Sequence, residues 1–65
     1  MGALRRIRSR LVEIEVRESE AGEWFAIGIV RQGLRHEVGM SFVATGSDAT
    51  GVEMRLEMEV EVRLD

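Results

Sequence analysis

The sequence predicts an all-β fold, a four-stranded antiparallel meander, and three observations carry that expectation. From Val52 to Leu64 every second residue is apolar (Val52, Met54, Leu56, Met58, Val60, Val62 and Leu64), and every residue between them is charged. A period of two lays the apolar side chains along one face of an extended strand. Val12, Ile14 and Val16 repeat the pattern against Glu13, Glu15 and Arg17. The apolar runs are separated by polar, glycine-containing stretches at Glu18 to Glu23, Gln32-Gly33 and Gly46 to Gly51, the composition of turns between strands.

Residues 1–11 form a basic segment that fits two readings. Leu4, Ile7 and Leu11 fall at helical spacing, which suits a short amphipathic helix over a sheet. The same residues fit an extra strand, provided a bulge accommodates the change of apolar parity between Leu11 and Val12. The meander occupies residues 12–65. Its first strand is Val12 to Arg17. The second runs from Trp24 to Arg31 with apolar residues on both faces, as in a central strand. Gln32-Gly33 closes a hairpin into a third strand, Leu34 to Thr45, in which His36 is the single polar residue of the apolar face. Val52 to Leu64 is the fourth.

Register follows from keeping apolar residues on one face. That rule sets Val12, Ile14 and Val16 opposite Ile29, Ile27 and Phe25, and sets His36, Val38 and Met40 opposite Ile29, Ile27 and Phe25 from the other side. Ala26, Gly28, Gly39 and Ser41 then share the outer face with Glu13, Glu15, Glu37, Glu57 and Glu59, as a shallow acidic trough. The last strand would extend roughly 40 Å at about 3.3 Å per residue, some twice the usual length. A 65-residue chain forms one domain, residues 1–65, near the lower size limit for independent folding. One sheet cannot hide so wide an apolar face, so the expected architecture is a curled half-barrel or sandwich completed by oligomerisation.

Composition narrows the chemistry. There is no cysteine and one histidine, which excludes disulfides and any multi-histidine metal site within one chain. No phosphate-cradling loop, dinucleotide fingerprint or calcium loop is present, and no nucleophile, base and orienting group fall at motif spacing. No catalytic residue, cofactor or metal is therefore expected. No apolar run approaches the roughly 20 residues of a membrane helix, and the first residues lack the apolar core of a secretory signal, so the expectation is a cytoplasmic protein without membrane contact. All nine basic residues are arginine, and lysine, proline, asparagine and tyrosine are absent. Such usage fits a GC-rich coding sequence or a designed chain.

The functional reading is a non-enzymatic homo-oligomeric β-sheet protein, a module for assembly or protein binding. Its working surface is Val52, Met54, Leu56, Met58, Val60, Val62 and Leu64, with Trp24 as a second interface anchor. One alternative is a nucleic-acid binder using Arg5, Arg6, Arg8 and Arg10 with Trp24, against which the net charge of −3 weighs. Another is a carrier of a small apolar ligand between sheets, lined by Met40, Phe42, Met54 and Met58.

Overall fold

The computed structural model describes residues 2–64; Met1 and Asp65, the ends of the domain read from the sequence, lie outside the described residues. The N-terminal segment is strand. Strand β1 (Ala3–Ile7) turns back through Arg8 and Ser9 into β2 (Arg10–Glu18), and the pairing shifts between Leu11 and Val12, where the apolar parity changes. Strand β3 (Trp24–Gln32) follows a loop closed by Ser19 N donating to Glu23 O, and β4 (Ser41–Gly46) follows a longer turn over residues 33–40. The four strands form an open antiparallel meander in the order β1-β2-β3-β4. Helix α1 (Ala49–Arg63) then crosses one face of the sheet.

The segment expected as the fourth strand is thus a helix, and the reason lies in what a period of two does at 100° per residue. Positions two apart point about 200° apart on a helix, while positions four apart nearly superimpose. The apolar set therefore splits into two stripes. Val52, Leu56 and Val60, followed by Leu64 at the C-cap, are buried against the sheet; Met54, Met58 and Val62 are exposed on the far side. Glu, Met, Leu and Arg, which fill much of this segment, are among the strongest helix formers. Asp48 supplies the start: its backbone is extended and its side chain accepts from Gly51 N at 2.6 Å, satisfying a donor that the first turn leaves without a partner. As a helix the segment is about 22 Å long and fits over the sheet, whereas a strand would overrun every neighbour.

The helix also decides which face of the sheet is inside. Val12, Ile14 and Val16 pair with Val30, Gly28 and Ala26, not with Ile29, Ile27 and Phe25 as the sequence suggests. Phe42, Ala44 and Gly46 continue that face from β4, opposite Gly28, Ala26 and Trp24. Small residues are needed here because the helix must come close. A Cβ at Gly28 would sit 3.0 Å from Leu56 Cδ2 and 3.3 Å from Val12 Cγ1, and Val52 rests on Gly46. The core thus joins Val12, Ile14, Ala26, Val30, Phe42 and Ala44 of the sheet to Val52, Leu56 and Val60 of the helix, with Trp24 and Val16 packed against its margin. Burying each large side chain stabilises by about 1.5–3 kcal/mol. Phe25, Ile27 and Ile29 lie on the uncovered face, half-buried among their neighbours.

The third expected strand is shortened for a separate reason. Arg10 and Glu37 form a two-pronged ion pair, Arg10 Nε donating to Oε1 at 2.8 Å and Nη2 to Oε2 at 2.7 Å. The same Oε1 accepts from Leu34 N at 3.0 Å, which curls residues 34–37 into a turn. Glu37 is 2% exposed. His36, expected on the apolar face, is exposed in this turn. The chain re-enters the sheet through a bulge: Gly39 N donates to Val30 O while Val30 N donates to Met40 O, so two residues oppose one, and Gly39 takes a φ of 93°. Glycine reaches that left-handed conformation without steric cost.

Candidate interaction surface

Four stripes run along α1, and each meets a different environment. The buried one has been described. Next to it, Glu53, Glu57 and Glu61 face the N-terminal hairpin: Arg5 Nη2 donates to Glu53 at 2.9 Å, Arg5 Nη1 also donates to Glu57, and Arg8 pairs with Glu61 at 3.5 Å. The stripe toward β4 holds Arg55, Glu59 and Arg63. Arg55 Nη1 donates to Thr45 O at 2.9 Å, and Arg63 pairs with Glu59 at 3.3 Å. On top stand Met54, Met58 and Val62, 58%, 64% and 76% exposed. A shallow groove lined by Gly51, Met54, Arg55, Met58, Glu59 and Val62 runs along them on the β4 side.

Beside that groove lies the free edge of β4. Val30 bonds to Gly39 and Met40, and alternation along an antiparallel ladder then turns the N–H and C=O groups of Phe42, Ala44 and Gly46 toward β3. Those of Ser41, Val43 and Thr45 point outward. The Arg55 bond to Thr45 O fits this orientation. The sequence of β4, Ser-Phe-Val-Ala-Thr-Gly, carries no charge. Strand β1, at the opposite edge, carries Arg5 and Arg6. Val43 is 63% exposed on the uncovered face of the sheet, and Leu4 is exposed on the same face.

The sequence-derived candidates separate on this scaffold. Of the expected working surface, Met54, Met58 and Val62 are at the surface, while Val52, Leu56, Val60 and Leu64 are consumed by the core. Trp24 is half-buried opposite Gly46 and packs on the core margin. Arg5 and Arg8 engage the helix glutamates, Arg10 engages Glu37, and Arg6 is exposed on the other face of β1. The supposed acidic trough does not assemble: Ala26 and Gly28 lie under the helix, Glu13 pairs with Arg31, and Glu15 pairs with Arg17. Met40, Phe42, Met54 and Met58 line no common space, since Phe42 is in the core and both helix methionines face away from it. Among the described residues no three His, Asp or Glu side chains gather into a group that could hold a metal ion, and no helix is long and apolar enough to cross a membrane.

Comparison with family models, with curated proteins and with solved structures found no match to this chain.

The turn that delivers the chain to β4 has a defined response to acid. The Arg10 guanidinium, helped by the Leu34 amide and opposed by desolvation, holds the Glu37 carboxyl at about 2, below its ordinary value of 4.5. A carboxyl with a depressed folded pKa contributes stability above its unfolded value, and that contribution is lost as pH falls through the folded value. The window here is about pH 4.5 down to 2. We expect the difference in urea midpoint between wild type and Glu37→Gln to shrink across that window. A difference that stays constant from pH 6 to 2 contradicts the assignment of the pair.

Proposed function

We propose that this protein is a non-enzymatic self-associating module, and that its working surface is the exposed stripe of α1 together with the adjoining sheet edge. The carrying observation is the placement of Met54, Met58 and Val62 one turn apart with their side chains in solvent. Three large apolar side chains aligned on a helix make a continuous patch, and contiguous exposed apolar patches mark interaction sites more often than scattered residues do. Small size supports the same reading. A core made of one short helix on one open sheet supplies little net stability, and association is a common supplement in chains of this length.

Ion pairing weighs against reading the N-terminal arginines as a nucleic-acid contact. Arg5 and Arg8 are turned onto carboxylates of their own helix, and a phosphate would have to compete with them. Sedimentation equilibrium over a concentration series, at low and high salt, tests the proposal. The expected result is a mass above the 7.3 kDa of one chain that persists in high salt, since apolar contact is not screened. Met58→Glu should lower that mass. A monomer at every concentration overturns the proposal.

A further inference from the structure

Resting on that reading, we infer that the partner is a second copy of this chain, joined antiparallel along β4 about a two-fold axis through Val43. The outward groups of β4 fit such a partner. With Val43 opposite its own equivalent, Ser41 falls opposite Thr45 and Thr45 opposite Ser41, so all three residues with outward ladder groups meet residues whose groups face them, and Arg55 must release Thr45 O for the outer bonds to form. The two four-stranded sheets then become one sheet of eight. No like charges meet, because β4 has none. On the uncovered face the exposed Val43 side chains lie side by side, a β-branched cross-strand pair.

The edge is distinguished by what protects the other one. Natural sheets guard their edges with charged side chains, bulges or covering elements. At β1 two arginines stand on adjacent positions. At β4 the bulge is confined to its entry at Gly39 and Met40, and past it the strand is regular and uncharged. Among the described residues Arg55 guards it in part, its guanidinium binding Thr45 O at one end of the strand.

The same axis brings the helices together. A two-fold perpendicular to the sheet keeps both copies of α1 on one face, and α1 lies mainly over β4 and β3, next to the joined edge. Helices pack at axis separations of about 8–10 Å, and the flank of α1 that faces the joined edge is the one bearing Arg55, Glu59 and Arg63, with Met54, Met58 and Val62 above it. The strand alone would be a small interface.

Two variants and one wild-type measurement test this. Val43→Pro deletes an outward N–H without touching the β3 ladder, a position at which an edge strand tolerates proline; Val43→Lys sets two like charges on the axis. Circular dichroism establishes that each variant is folded. The expected results are at least a tenfold weaker association in both, and amide exchange at Ser41, Val43 and Thr45 that slows as wild-type concentration rises. An oligomer that persists in folded Val43→Pro and Val43→Lys, with exchange at those amides independent of concentration, overturns the edge pairing and leaves the module self-associating by the helix stripe alone. A wild type that is monomeric throughout overturns both readings.

Discussion

Leu56→Ala is expected to unfold the protein or nearly so, while Met58→Ala two positions away leaves the monomer's stability almost unchanged. Leu56 is fully buried between the sheet and α1, with its Cδ2 over Gly28. Truncating a buried leucine costs about 2–5 kcal/mol, the lost transfer energy plus the cavity left behind. A domain this small rarely has more than about 3–5 kcal/mol of net stability from its core. Met58 is 64% exposed, and surface substitutions of this kind stay within about 0.5 kcal/mol. Urea denaturation followed by circular dichroism, at protein concentrations below the onset of association, reads both. The pair separates helix from strand: on a strand, residues 56 and 58 share one face and would respond alike. Equal losses in the two variants would therefore refute the helical arrangement.

Gly28→Val is expected to destabilise, and its sign tests which face of the sheet the helix covers. The Cβ alone would approach Leu56 Cδ2 to 3.0 Å and Val12 Cγ1 to 3.3 Å, and two further methyl carbons have no space between β3 and α1. Overpacking of this kind costs about 1–3 kcal/mol. Had Gly28 faced outward, valine would instead be favoured in a strand, where β-branched residues gain up to about 1 kcal/mol over poor strand formers. Thermal melts of the single variant give the sign. In the double variant Gly28→Val with Leu56→Ala, the missing leucine leaves room for the valine, so the combined loss should be smaller than the sum of the two. Strict additivity would mean that the residues do not touch.

These experiments bear on the point where the sequence speaks least plainly. The meander is legible because Val12 to Arg17 alternates without interruption and β3 carries apolar residues on both faces, the mark of a central strand. Even the bulge at Leu11/Val12 is written in the parity of the apolar residues. Alternation alone cannot identify α1, because an unbroken period of two also yields four coherent helical stripes, two apolar and two charged. The discriminating signals were local: Asp48 as a cap, residues of high helix propensity, and an implausible strand length. The register error has the same root. Without a helix to accommodate, Ala26 and Gly28 look like gaps in an outer face; beneath a helix they are the floor of its groove. Of the candidate surface, Met54, Met58 and Val62 belong to the apolar set visible in the sequence, whereas the outward-facing groups of Ser41, Val43 and Thr45 depend on how Gly39 and Met40 enter the sheet, which side-chain pattern does not encode.

The order of elements along the chain sets a hazard during folding. Because α1 follows the strands it covers, a state in which the sheet has formed and the helix has not docked leaves Val12, Ile14, Val30 and Phe42 without a lid, and the uncharged β4 edge is available at the same time. Transiently exposed apolar surface and unpaired strand edges make such species prone to aggregate. Docking of α1 therefore closes the core and ends the interval in which the bare sheet can capture its neighbours.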